Sequence, residues 1–143
     1  MLVANNGEAS YRIKSALLMA PGLGLAQDML IDQHFSERGR MARLIGAVTQ
    51  NPRVLGVGID EDTALILERN REFRILGAGA VYIVDASKST YSNFGEEDAD
   101  RTLSSFGIMV HMLSQGDRFD LNTRTPYPHP ADAMDEEKKT GTK

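Results

Sequence analysis

The order of apolar and polar segments in the first half of the chain constrains the fold most. The apolar run Met29–Ile31 predicts a buried strand. A helix with one apolar face is predicted over 37–50, capped by Ser36 and ended before Pro52. A second apolar run at 54–59 predicts another buried strand. Strand, helix and strand in this order are typical of an α/β fold.

Further strand candidates follow along the rest of the chain. They are apolar and β-branched runs between turn residues, at 64–67, 73–76, 80–84 and 108–113. We expect 73–76 and 80–84 to pair with each other around the turn at 77–79. Residues 85–101 are polar and predict a surface loop. One helix for so many strands should leave one sheet face without cover, which indicates an incomplete fold.

The chain of 143 residues is long enough for one domain with a hydrophobic core. That domain is predicted to extend over 1–125. Residues 126–143 are rich in proline, alanine and charged residues, and their only aromatic residue is Tyr127. This composition predicts a disordered tail.

The composition excludes several classes of function. The formal net charge is -4, so there is no positive excess to neutralise the phosphates of a nucleic acid. The chain has no cysteine, which excludes disulfides, zinc–thiolate sites and a cysteine nucleophile. No apolar run reaches the roughly 20 residues of a membrane helix. The first residues lack the pattern of a signal peptide, and we expect a cytoplasmic location.

The densest group of chemically active residues is the segment 32–43, DQHFSERGRMAR. Asp32, Gln33 and His34 follow an apolar strand, and ligands bind at the carboxyl ends of strands in open α/β sheets. Three arginines follow at the start of the predicted helix, at positions 38, 40 and 43. Because a helix N-terminus already carries partial positive charge, arginines there favour a bound anion such as a carboxylate. The alternative is a solvated face on which the arginines pair with Glu37 and Asp32.

His34 could act as a general base if a nucleophile and an orienting acid lay beside it. Glu61 is the best candidate acid, because it lies in a turn after the second buried strand. Asp60 and Asp62 flank it, and spacing alone does not choose among the three. A plain surface turn is the competing interpretation. A metal site built from Asp32, His34 and Glu61 is disfavoured, because it contains few neutral donors. We therefore expect no metal and no cofactor.

Four segments together resemble one family of serine peptidases, the cyanophycinases. They are APGLGL at 20–25, DQHFSERGRMARL at 32–44, QNP at 50–52 and GVGIDEDTAL at 56–65. The resemblance extends over most of 16–68 and more loosely to about residue 125. It implies an incomplete flavodoxin-like three-layer sheet of the class I glutamine-amidotransferase type. The chain would be the C-terminal portion, without the first strands.

The resemblance also implies roles for the site residues. His34 would be the general base and Glu61 the acid of a Ser-His-Glu triad. The motif residues Asp32, Gln33, Arg38, Arg40 and Arg43 would shape the substrate pocket. The family's substrate is cyanophycin, a polyaspartate with arginine on each side-chain carboxyl, and its product is the β-aspartyl-arginine dipeptide. Members of the family are typically homodimers.

One departure from the family pattern concerns the nucleophile. The family's serine lies in a Gly-x-Ser-Ala-Gly elbow upstream of the DQH motif. Neither Ser10 nor Ser15 has glycine neighbours of that kind, and no such elbow occurs in the chain. We therefore predict that the chain alone has no peptidase activity. The alternatives are part of an aspartyl dipeptidase-like enzyme, or an inactive remnant that binds anions.

Overall fold

A computed structural model of the chain describes residues 2–4, 17–19, 22, 26–69, 71–95 and 101–130. It contains one helix, α1 (Met41–Gln50), within these ranges. The strands are β1 (Leu2–Ala4), β2 (Leu17–Met19), β3 (Met29–Gln33), β4 (Leu55–Ile59), β5 (Thr63–Leu67), β6 (Glu72–Gly77), β7 (Val81–Asp85), β8 (Tyr91–Ser92), β9 (Ser105–Phe106), β10 (Met109–Leu113), β11 (Arg118–Asp120) and β12 (Thr125–Tyr127). No helix in the described ranges has the length and apolar character needed to cross a bilayer.

Two four-stranded sheets form the body of the protein. Sheet I has the order β10-β7-β4-β3, and sheet II has the order β12-β11-β6-β5. Within sheet I, β3 and β4 are parallel, while β7 is antiparallel to both β4 and β10. Sheet II is antiparallel throughout. The predicted α/β class is confirmed, because helix α1 connects the two parallel strands of a mixed sheet.

The helix begins later than predicted. The turn before it is closed by backbone bonds from Gly39 N–H to the Ser36 carbonyl and from Arg40 N–H to the Phe35 carbonyl. Gly39 has φ +59, which lies outside the helical region, so the helix starts only at Met41 with Arg40 at its N-cap. The prediction of Ser36 as the cap is therefore wrong.

Two glycines on β4 allow the helical layer to approach sheet I closely. A Cβ atom on Gly56 would lie 2.7 Å from Val48 Cγ1 of α1. A Cβ atom on Gly58 would lie 2.4 Å from Cγ of Phe35, whose ring packs over the sheet. The alternation of glycine with apolar residues in β4 thus sets the distance between the sheet and the segment after β3.

The two central strands of sheet I, β4 and β7, are covered on both faces, whereas Val110 and Met112 on the edge strand β10 are 44% and 70% exposed. The core on one face joins residues of both sheets, namely Leu55, Val57, Phe73, Ile75, Val81, Ile83, Leu113 and Phe119. The core on the other face joins sheet I to α1 and its preceding turn, namely Phe35, Leu44, Val48, Val84 and Ala86. At the central strands no face is left uncovered, because the antiparallel strands later in the chain fold back as a second layer, while apolar residues of β10 stay exposed.

The predicted pairing of 73–76 with 80–84 is also wrong. β6 pairs with β5 and β11, whereas β7 pairs with β4 and β10. Gly77 has φ +131, and a Cβ atom there would lie 2.1 Å from the Asp62 carbonyl oxygen. The turn therefore carries the chain from sheet II to sheet I instead of closing a hairpin.

The later segments contain more strand than the sequence indicated. The region predicted as a loop at 85–101 includes β8, which pairs with β9; residues 96–100 lie outside the described residues. β11 and β12 were not predicted. The proposed domain end at 125 falls inside β12, which pairs with β11, so Pro126 and Tyr127 are part of sheet II. The remainder of the predicted tail from 131 lies outside the described residues.

Candidate functional site

A histidine and a glutamate meet at the carboxyl edge of sheet I. His34 directly follows β3, and Glu61 lies in the turn after β4. The strands β3 and β4 are parallel, with Met29 opposite Leu55 and Gln33 opposite Ile59. Both strands therefore end at the same edge of the sheet. His34 Nδ1 lies 2.8 Å from Glu61 Oε1, and the two side chains are 47% and 55% exposed. The pair is thus hydrogen-bonded and accessible from solvent.

The turn that carries Glu61 is fixed by the neighbouring acid. Asp60 Oδ1 accepts a hydrogen bond from Ser36 N–H at 2.9 Å, and Oδ2 accepts one from Ala80 N–H at 3.3 Å. The backbone N–H of Asp60 also donates to the Ala80 carbonyl at 3.1 Å. Asp60 therefore ties together the segments after β3 and β4 and the one before β7. Its carboxylate is used for this bracing, while that of Glu61 contacts the histidine.

Three further residues position Glu61, and the sequence reasoning missed them. The Glu61 N–H donates to Glu37 Oε1 at 3.1 Å, and its carbonyl accepts from Thr63 Oγ1 at 2.9 Å. Thr63 Oγ1 in turn accepts from Gly79 N–H at 2.9 Å. A Cβ atom on Gly79 would lie 2.7 Å from Thr63 Oγ1 and 3.0 Å from the Glu61 carbonyl. The glycines of the turn at 77–79 indicate a close backbone approach, but the sequence does not show that Thr63 and Glu61 are the residues approached.

Asp32 is the anion that two of the predicted arginines hold. Its carboxylate is 2% exposed and accepts from Arg40 Nη1 at 3.0 Å and from Arg43 Nε at 2.9 Å. Arg43 Nη2 also donates to Asp32 Oδ1, and Arg40 Nη1 to the carbonyl of Gln33. One buried carboxylate faces two partly buried guanidiniums, so this cluster keeps one positive charge.

Arg38 and Gln33 have different surroundings from the cluster. Both residues are exposed, and Arg38 has no ion pair with any other residue that the structure describes. A cavity of about 230 Å³ lies beside the cluster and is lined by Phe35, Ser36, Gly39, Arg40, Met41 and Tyr82. The predicted arginines are thus divided: two brace Asp32 and one reaches solvent.

Among the described residues, no group of three or more His, Asp or Glu side chains is arranged to hold a metal ion. Both carboxylate oxygens of Asp32 accept from guanidiniums, which compete with any cation for the same lone pairs.

Fold and site together define an α/β protein with a solvent-accessible histidine–glutamate pair beside a buried aspartate–arginine cluster. No family model matches the chain. It is 42% identical to the cyanophycinase of Trichormus variabilis over 127 residues, which are 89% of this chain and 43% of that protein. It is also 42% identical to the cyanophycinase of Synechococcus elongatus over 122 residues, and 35% identical to that of Geminocystis herdmanii over 125 residues.

Over these residues the chain is similar in sequence to cyanophycinases. The three matches cover 85–89% of the chain but only 38–46% of the relatives. The chain therefore spans about two fifths of the length of the curated relatives that it matches. The family resemblance inferred from the motifs is confirmed at this level.

Proposed function

We propose that this chain is the C-terminal part of a cyanophycinase and supplies the base, the acid and the substrate pocket of a Ser-His-Glu peptidase. The observation that carries the proposal is the 2.8 Å contact between His34 Nδ1 and Glu61 Oε1 at an accessible sheet edge. With Nδ1 held by the glutamate, Nε2 is the nitrogen left to exchange a proton with a nucleophile. An orienting acid on one nitrogen and a nucleophile on the other is the arrangement that acyl transfer requires.

The nucleophile would be a serine from outside these 143 residues, because the chain contains no glycine-flanked serine elbow. His34 would take the proton of that serine as it attacks the scissile carbonyl, and would then give it to the leaving amine. Glu61 would hold the imidazole and stabilise the imidazolium that forms. Without the serine, the chain alone is expected to release no dipeptide from cyanophycin.

The substrate would meet the arginines in two ways. Arg38 and Gln33 are exposed and would contact it directly, the guanidinium pairing with a carboxylate of the β-aspartyl-arginine unit. Asp32, Arg40 and Arg43 would form the wall of the pocket, and their residual positive charge would favour an anionic group nearby. This division of roles follows from their different exposure and partners.

The complete enzyme would have the flavodoxin-like three-layer fold of the class I glutamine-amidotransferase type. In the described residues β3 is the edge of sheet I, and its outer side is where additional parallel strands could pair. The strand that leads into the serine elbow would belong there, because its carboxyl end would then lie at the same edge as His34. We further propose that the complete protein is a cytoplasmic homodimer.

The test starts with the DNA upstream of the codon for Met1. If an in-frame Gly-x-Ser-Ala-Gly segment is present, the longer protein is purified and dipeptide release from cyanophycin is measured. His34→Ala should lower kcat by about 10⁴- to 10⁶-fold. A stop codon with no such segment in any frame would contradict the peptidase and leave an anion-binding remnant. Faster hydrolysis of Asp-X dipeptides than of cyanophycin would instead identify an aspartyl dipeptidase.

A further inference from the structure

A second cluster of arginines surrounds a cavity at the other end of sheet I. The cavity measures about 200 Å³ and lies at the amino ends of β3 and β4, where Met29 and Leu55 form part of its wall. Five strand residues separate it from the edge with His34, or roughly 16 Å at the usual rise per residue. Arg53, Arg71 and Arg124 reach it from three separate turns.

The backbone around this cavity is strained. Five non-glycine residues of the described chain have positive φ, and three of them line the cavity: Asp28 at +62°, Arg71 at +64° and Arg124 at +54°. Glycine would adopt this conformation without strain, whereas a residue with a Cβ atom is destabilised there by about 1–2 kcal/mol. The presence of Arg71 and Arg124 at such positions indicates that their side chains have a function there.

The turns are also tied to one another, so the cavity is held in shape before any ligand binds. The Leu55 N–H donates to the Asp28 carbonyl at 2.9 Å, and the Leu121 N–H donates to the Arg71 carbonyl at 3.0 Å. Arg124 Nη2 donates to the Arg53 carbonyl at 2.6 Å. The turns that carry Arg71 and Arg124 are therefore ordered without a ligand, and the Arg53 side chain is the part that binding has to order.

The charges around the cavity do not cancel. Arg71 Nη2 lies 3.3 Å from Asp28 Oδ2, and Arg124 Nη1 lies 2.5 Å from Asp85 Oδ1. Arg53 has no ion pair with any other described residue. Three guanidiniums and two carboxylates therefore leave one net positive charge. That charge is on Arg53, whose side chain is free to turn toward a ligand.

Asp85 is held in its ionised form. Burial acts to raise the pKa of its carboxyl, but hydrogen bonds from Ser87 and the charge of Arg124 outweigh burial and lower the pKa. The carboxylate thus keeps the Arg124 guanidinium in place at the cavity without occupying the cavity itself, because Asp85 is not among the lining residues.

We propose that this cavity binds a small anion through a carboxylate or phosphate group, with Arg53 as the main contact and Arg71 and Arg124 beside it. The site is separate from the His34–Glu61 pair and does not depend on the peptidase function. Its volume is below the 300–1,000 Å³ that drug-sized ligands occupy, so it suits a group of a few heavy atoms.

The test is an NMR titration of the ¹⁵N-labelled 143-residue chain with inorganic phosphate and, separately, with succinate, at constant ionic strength. The backbone amides of Asp28, Arg53, Arg71 and Arg124 should shift and saturate with at least one of the two. Saturation with phosphate alone assigns a phosphate ligand, and saturation with succinate alone assigns a carboxylate. Shifts that grow in proportion to the added anion without saturating, or no shifts at all, would overturn the proposal.

Variants separate the cavity from general charge effects. Arg53→Gln should weaken binding at least 10-fold, because it removes the uncompensated guanidinium. Arg53→Lys keeps the positive charge but loses the paired N–H donors of the guanidinium, and it should weaken binding less than the glutamine variant. Arg74→Gln is the matched control, since it removes an exposed arginine that does not line the cavity. Equal affinity in Arg53→Gln and Arg74→Gln would contradict the site, and the lysine variant gives the same comparison should the glutamine variant not fold.

Discussion

The two ends of sheet I are built from similar residues but use them differently. All five non-glycine residues of the described chain with positive φ lie near these ends: His34 and Asp62 at the carboxyl edge, and Asp28, Arg71 and Arg124 at the amino edge. At the carboxyl edge an acid faces a histidine, and two partly buried arginines are bound to Asp32. At the amino edge Arg53, which forms no ion pair with another described residue, lies beside a cavity. Proton transfer suits the first end, and anion binding suits the second.

The largest effect is expected from the acid of the carboxyl edge. In the longer protein that we propose, Glu61→Gln should lower kcat for dipeptide release by about 10⁴-fold, because the amide would not stabilise the imidazolium. Steady-state kinetics on cyanophycin measure this. Glu68→Gln is the control, since it changes an exposed glutamate that pairs with Arg74. Equal kcat in the two variants would remove Glu61 from the proposed triad.

Removal of the buried carboxylate of Asp32, at the same edge of sheet I, should lower the stability of the fold. Asp32→Asn leaves two guanidiniums without a compensating charge, which we expect to lower the free energy of unfolding by about 3–5 kcal/mol. Urea denaturation followed by circular dichroism measures the change. Asp28→Asn removes a carboxylate from an exposed pair at the amino edge and should lower it by less than about 1 kcal/mol. If the two variants are equally stable, the Asp32 cluster is not the buried brace described above.

The close approach of Phe35 to β4 can be broken by one methyl group. Gly58→Ala would place its Cβ atom 2.4 Å from Phe35 Cγ, so the ring must move. We expect a loss of about 1–3 kcal/mol in the free energy of unfolding. The segment after β3 moves with the ring, and the amide shifts of His34 should change as well. Unchanged His34 shifts would show that Phe35 does not position the histidine.

The smallest effect on stability is expected at the strained amino edge. Arg71→Gly relieves the positive φ but loses an exposed ion pair and gains chain entropy in the unfolded state. These terms oppose each other, so the free energy of unfolding should change by less than about 1 kcal/mol. Phosphate or succinate binding at the cavity should nevertheless weaken several-fold. A variant that binds as tightly as the original chain would show that Arg71 has only a local role in its turn.

The local chemistry of the sequence determined much of the fold. The strands β3, β4, β7 and β10 coincide with apolar runs of the sequence. Such runs predict strands, because a strand covered on both faces has apolar residues at successive positions. Asn51-Pro52 ends the helix where predicted, since proline cannot continue it. The helix start was misplaced because the positive φ of Gly39 depends on the turn that the chain makes after β3, and propensity does not report it. β11 and β12 were missed because each is only three residues long.

Tertiary structure alone decided which residues meet. The sequence places His34 and three neighbouring acids at the ends of two strands, but the parallel register of β3 and β4 brings Glu61 to the histidine and leaves Asp60 to brace the turns. The sequence left open whether the motif arginines bind an external anion or pair with Asp32 and Glu37, and packing gives Asp32 to two of them. Segments far apart in the chain form the cavity with Arg53, Arg71 and Arg124, so no local pattern predicts it. The physical reason is that side-chain type and local backbone preference act within a few residues, whereas burial and charge pairing are set by the fold of the whole chain.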